Sequence, residues 1–215
     1  TAAAVRAVAQ NFAYPDNPLL ALPGSTSPRF TPYTLFWGAV MSGAGWNIFA
    51  VMALAAITNF LLFVTGLFRF VSRVTRAGIL PTYLLLIMLI VWGTGYGEAN
   101  GYQLRLFFET LPYVGIFAYG VTFHALAYLR KFLDFRRPHD VALYTLLMAI
   151  GFVTHPITAA FGFVAAVAML IAERDWRKLI LMQGVPLVAL GAALVWPYFD
   201  YWKVLTRGSG EAGFV

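Results

Sequence analysis

From Val141 to Ala172 the chain runs for thirty-two residues without a formal charge, and the run is interrupted once, at Thr154-His155-Pro156. As one helix it would extend about 48 Å at ~1.5 Å per residue, well past the ~30 Å of bilayer hydrocarbon. A single straight crossing does not fit. Both flanks are basic, with Arg136 and Arg137 before the run and Arg174, Arg177 and Lys178 after it, and short basic loops collect on the cytoplasmic side of a membrane. Both ends of the run therefore belong on one face. The pattern predicts a hairpin of two short helices, Val141 to Val153 and Ile157 to Ala172. The turn falls where Pro156 lacks an N–H and disfavours helical geometry at His155. Irregular backbone at membrane depth survives only when buried in protein or lining a wet cavity. His155 thus marks a candidate functional cavity; the competing reading is a histidine that only caps the turn.

With 60% hydrophobic and 11% charged residues, the chain lies far from the roughly 25% charge of a water-soluble domain. The expected class is an all-α, polytopic transmembrane helix bundle. The lack of cysteine excludes disulfides, thiolate metal sites and thiol nucleophiles. A net charge of +6 does not point to nucleic acid, because the basic residues sit between apolar spans and are explained by topology. Residue 1 is threonine and the last residues, Arg207 to Val215, read as a loop, so the expectation is a processed product or a piece of a longer polypeptide. Thr-Ala-Ala-Ala-Val-Arg at the start does not have the pattern of a signal peptide.

Four units are expected in order. Residues 1–29, with Pro15, Pro18, Pro23 and Pro28, read as an outer-face loop segment with a short helix over Ala2 to Phe12. Residues 30–45 hold an interfacial helix, Pro32 to Met41, whose Tyr33, Phe36 and Trp37 suit a membrane surface; Ser42-Gly43-Ala44-Gly45 breaks it from the first full span, Trp46 to about Phe70. Residues 46–203 form the bundle, with further spans over Ile79 to Trp92, Thr110 to Leu129, the central hairpin, and Leu179 to Trp196. Residues 204–215 are an outer-face tail. This path puts ten basic residues inside (Arg69, Arg73, Arg76, Arg130, Lys131, Arg136, Arg137, Arg174, Arg177 and Lys178) and five outside (Arg6, Arg29, Arg105, Lys203 and Arg207). That asymmetry places the N-terminus outside, and the expected location is a bacterial inner (cytoplasmic) membrane.

On the proposed outer face lie Asp16, Glu98, Glu109, His155, Asp200, Arg105, Lys203 and Arg207. Carboxylates and a histidine on a shared cavity supply a general base or acid or bind a divalent metal ion, and arginines bind phosphate. No phosphate-binding Gly-rich loop, His-Glu-x-x-His or Gly-x-Ser-x-Gly element occurs, so nothing identifies an ATPase, zinc protease or serine hydrolase. Bland alternatives stand beside each residue: Asp16 as a turn former, Asp200 among interface aromatics, His124 as a packing histidine and His139 as a headgroup-facing one. His124 and His155 are also a conceivable pair of haem or chlorophyll ligands.

Three stretches carry a family likeness: Asp16-Asn17-Pro18-Leu19-Leu20; Ser27-Pro28-Arg29-Phe30-Thr31-Pro32-Tyr33 entering the interfacial helix; and the short helix ending Gly151-Phe-Val-Thr-His-Pro-Ile-Thr158. In these the chain resembles, over Phe12 to Trp202, the GT-C class of polytopic glycosyltransferases, which use sugars linked to a polyprenyl phosphate. The resemblance implies Asp16 as general base, His155 near the donor or acceptor, and Arg105 or Arg207 on the phosphate. It departs from the class in having no span ahead of Asp16 and no further spans or soluble outer domain. Two readings follow. One is a membrane glycosyltransferase working at the outer face on a lipid-linked sugar. The other is a non-catalytic accessory subunit of a larger membrane complex, respiratory or photosynthetic, partnered by other membrane subunits; a transporter subunit is a third.

Overall fold

In the computed structural model of the protein the described residues are 1–20, 26–75, 78–90, 104–174, 182 and 184–207. Every regular element among them is a helix: α1 (Ala2–Gln10), α2 (Pro32–Ala44), α3 (Ile48–Val74), α4 (Leu80–Ile90), α5 (Leu104–Thr110), α6 (Val114–Phe135), α7 (Pro138–Thr154), α8 (Pro156–Ala172), α9 (Gly184–Leu194) and α10 (Tyr201–Arg207). The fold class is all-α. One described helix, α3, is long and apolar enough to cross a membrane, and α7, α8 and α9 are shorter apolar helices.

Local chemistry explains the boundaries. Helix α2 starts in a reciprocal capping box, in which Thr31 Oγ1 accepts from the Thr34 N–H at 3.4 Å and Thr34 Oγ1 accepts from the Thr31 N–H at 2.8 Å, with Pro32 at the first turn. It ends where Gly45 takes φ of 66°, a left-handed turn that costs glycine nothing. Asn47 then caps α3 through Oδ1, which accepts from the Ala50 N–H at 2.9 Å. Helix α3 continues to Val74, four residues beyond the expected end, because Arg69 and Arg73 lie on its exposed side and do not interrupt its buried stripe of Val51, Ala55, Asn59, Phe63, Gly66, Leu67 and Val71.

Contacts along the helices set their directions. Helices α3 and α6 run parallel: Asn59 meets the carbonyls of Leu111 and Tyr113, Gly66 meets Gly120, and Arg69 meets Tyr128. The α6–α7 connection is only Arg136-Arg137, with Arg136 at φ 56°. Helices α7 and α8 fold back on each other about His155. Phe152 and Phe163 have ring centroids 6.3 Å apart, and a Cβ at Gly162 would come within 2.9 Å of Met148 Cε. Their far ends close together, since Glu173 after α8 pairs with Arg130 near the end of α6. The expected break at Thr154-His155-Pro156 is thus present and both flanks of the hairpin share one end of the bundle. Helix α9 packs on α7, and the core here gathers Leu126, Leu129, Tyr144, Met148, Ala159 and Leu170.

The bundle has two unlike ends. A charged end carries Arg69, Arg73, Arg130, Lys131, Asp134, Arg136, Arg137, His139, Asp140, Glu173 and Arg174. The opposite end carries residues 1–20, 26–31, the His155 break and residues 196–203, tied together by Trp196 Nε1 donating to the Phe30 carbonyl at 2.7 Å, Tyr198 Oη donating to the Phe12 carbonyl at 3.0 Å, and the Ser27 N–H donating to the Tyr198 carbonyl at 3.1 Å. Arg76, Gly93–Gly101, Arg177, Lys178 and the tail beyond Arg207 lie outside the described residues.

Candidate functional site

At the end opposite the charges, an open cavity of about 570 Å³ lies over the α7–α8 break. Its polar lining is Thr1, Arg29, Thr31, Thr34, Thr154 and His155, with Leu19, Val114 and Ile157 among the remaining walls. Each polar group arrives for a local reason. Thr31 and Thr34 are there because they form the α2 cap, and Thr34 Oγ1 also donates to the Arg29 carbonyl at 2.9 Å, holding the loop that carries Arg29 over the opening.

His155 closes α7 and opens α8. Its Nδ1 accepts from the Thr158 N–H at 3.4 Å and lies 2.8 Å from the Thr158 hydroxyl. A backbone N–H can only donate, so Nδ1 is the acceptor and the neutral ring carries its proton on Nε2. Nε2 lies on the side of Gly115, where a Cβ would stand 4.0 Å away. The cap uses Nδ1 and leaves the Nε2–H out of it. Beside it Thr154 is buried, and its Oγ1 has no hydrogen-bond partner.

The Nδ1 cap contributes ~1 kcal/mol to α8. His155→Ala, which removes the acceptor, is expected to lower the melting temperature, and His155→Asn, which keeps a capping acceptor, to retain it. Equal melting temperatures for the two variants would show that the ring nitrogen does not cap the helix.

The other expected site residues that the structure describes do not line the cavity. Asp16 is exposed and outside the lining of the cavity. Its neighbour Asn17 organises that loop, with Nδ2 donating to the Thr26 carbonyl at 3.0 Å and Oδ1 accepting from the Leu19 N–H at 3.0 Å. Asp200 caps α10 by accepting from the Lys203 N–H at 3.0 Å, and its other oxygen is 3.7 Å from Lys203 Nζ. Glu109 is exposed on α5. Glu98 and the side chains of Arg105 and Arg207 lie outside the described residues. His124 sits between α3 and α6, with Nδ1 3.3 Å from Arg69 Nη1 and Nε2 3.2 Å from Thr65 Oγ1; His139 is 3.2 Å from Asp140 at the charged end. His124 and His155 belong to different helix junctions. Among the described residues no group of three or more His, Asp or Glu is placed to hold a metal ion.

Sequence reasoning did not single out Arg29 as a site residue, because its place on the cavity wall is set by contacts distant in the chain. It also passed over Asn59, the one amide inside the apolar run of α3. Asn59 Nδ2 donates to Tyr33 Oη at 2.9 Å and to the Leu111 carbonyl at 2.6 Å, while Tyr33 Oη donates to the Pro112 carbonyl at 2.8 Å. This buried network fixes the start of α6, and hence Val114, beneath the cavity. Comparison with family models, with curated proteins and with solved structures finds no match to this chain.

Proposed function

We propose that the protein is a polytopic membrane protein with the cavity end outside and the charged end in the cytoplasm, and that the cavity holds the phosphate of a lipid-linked donor, as in a GT-C-type glycosyltransferase. The observation that carries this reading is the cavity at the hairpin break, with Arg29 and His155 on its wall. Arg29 offers a planar set of donors suited to phosphate oxygens, Nε2–H of His155 offers one more, and Thr31 and Thr34 add hydroxyls. Placement in the membrane is supported by the apolar α3 and by the gathering of Arg69, Arg73, Arg130, Lys131, Arg136, Arg137 and Arg174 at one end.

The test is binding of a polyprenyl phosphate and of the matching neutral polyprenol to the chain in lipid nanodiscs. The phosphate is expected to bind more tightly, and Arg29→Gln to weaken it by roughly 10-fold, the value of one charge-assisted hydrogen bond, while leaving the polyprenol unchanged. Equal binding of the two lipids, insensitive to Arg29, would overturn the assignment. A second reading, the non-catalytic subunit, is favoured by one observation: no described carboxylate lines the cavity, and sugar transfer to a hydroxyl needs a base. Fixed-stoichiometry recovery with other membrane proteins in mild detergent, together with no sugar transfer, is the result that reading expects.

A further inference from the structure

At the charged end, the last two turns of α3 carry a second group of polar side chains. Arg69, Ser72 and Arg73 lie on one exposed face of the helix and, with Phe68, line an open recess of about 490 Å³. Residues four apart on a helix are neighbours, and like charges so placed repel. Two neighbouring cations at this end are paired, Arg130 with Asp134 and Glu173 and Lys131 with Asp140. No described carboxylate pairs with Arg69 or Arg73, so this face of α3 keeps two positive charges beside the recess.

The site is also oriented. Arg69 Nη1 donates to His124 Nδ1 at 3.3 Å. Because a guanidinium can only donate, His124 must present a bare Nδ1 and carry its proton on Nε2, which lies 3.2 Å from Thr65 Oγ1; that hydroxyl in turn donates to the Leu61 carbonyl at 2.6 Å. The guanidinium lies 5.2 Å from the centroid of the Tyr128 ring. One edge of Arg69 is thus committed to α6, which leaves the rest of its fork toward the recess beside Arg73 and the Ser72 hydroxyl.

We propose that Arg69, Ser72 and Arg73 bind the phosphate of an anionic phospholipid headgroup at the cytoplasmic surface. The recess stands at the end of the most apolar long helix, where a headgroup phosphate meets basic side chains. This inference rests on the membrane reading but is independent of the cavity around His155.

The full chain is placed in nanodiscs of phosphatidylcholine with a minor fraction of phosphatidylglycerol, and the lipid retained on the protein is measured by native mass spectrometry. Enrichment of phosphatidylglycerol is expected. Arg69→Gln/Arg73→Gln is expected to lower its affinity by about 30-fold, as follows from two juxtamembrane cations. Arg137→Gln, at the same end but stacked on Phe135, is expected to leave it unchanged. His124→Phe, which removes the hydrogen-bond acceptor that orients Arg69, is expected to weaken binding, with His124→Gln restoring it. No enrichment, an equal loss in Arg137→Gln, or displacement of the lipid by millimolar inorganic phosphate would each overturn the lipid headgroup as occupant. A chain that does not enter the bilayer sinks the membrane reading as well, whereas one that enters without enrichment sinks this site alone.

Discussion

Gly120→Leu is expected to separate α3 from α6 and to abolish the cooperative unfolding transition of the purified protein. A Cβ at Gly120 would stand 2.9 Å from the backbone nitrogen of Phe63 and 2.9 Å from Leu62 Cγ, and a Cβ at Gly66 would stand 2.8 Å from the Gly120 carbonyl oxygen. The obstacles are main-chain atoms of a paired helix, so no side-chain rotation relieves the clash. Even one added methyl in such a seam costs about 1–3 kcal/mol, and a native stability of ~5–15 kcal/mol leaves little room for a whole isobutyl group. Gly120→Ala should therefore lower the melting temperature while retaining the fold, and Gly120→Leu should remove the transition. Gly191→Ala, where nothing lies within 4 Å of the added carbon, serves as the control. Equal melting temperatures for Gly120→Ala and Gly191→Ala would mean that the α3–α6 seam is not closed as described.

Lys131→Met should produce the second large loss. Asp140, in the first turn of α7, has no exposed side-chain surface, and its Oδ1 lies 3.0 Å from Lys131 Nζ and 3.2 Å from His139 Nε2. Neither carboxylate oxygen has a partner in hydrogen-bonding geometry, so the ammonium is an electrostatic counterpart that an amide would not replace. Removing one member of a buried pair strands the other and costs about 3–5 kcal/mol, while replacing both by apolar groups is often neutral. The double variant Lys131→Met/Asp140→Leu is expected to recover most of the loss in a denaturant titration. A loss under about 1 kcal/mol would show that the pair behaves as a solvated surface bridge.

Much of the local structure was legible along the chain. The stop at Thr154-His155-Pro156 follows from one imino acid and its effect on the residue before it, and the α2 start follows from Thr-Pro-x-Thr. The gathering of basic residues at one end was readable because each basic cluster sits at the end of an apolar run whose length is fixed. Packing was less so. That α6 lies parallel to α3, rather than beside α9, depends on which faces carry Gly66 and Gly120, and both helices offer small residues on more than one side.

The candidate site was half legible for the same reason. His155 could be found because it interrupts a pattern. Arg29 could not, because its position over the cavity depends on a loop held by the Thr34 bond to its carbonyl and by Trp196 and Tyr198, more than 160 residues away in the chain. Asp16 is closer in sequence to the expected motif, yet its loop turns it outward through the bonds of Asn17.

By itself, then, the sequence determined an all-helical chain, the place where its central apolar run must turn, and the end at which its cations collect, because each depends on near neighbours or on helix length. Only the tertiary structure decided which polar groups share a cavity, that Asp140 is buried against Lys131, and that Arg69 is held by His124, because those depend on close approach of faces that no periodicity distinguishes.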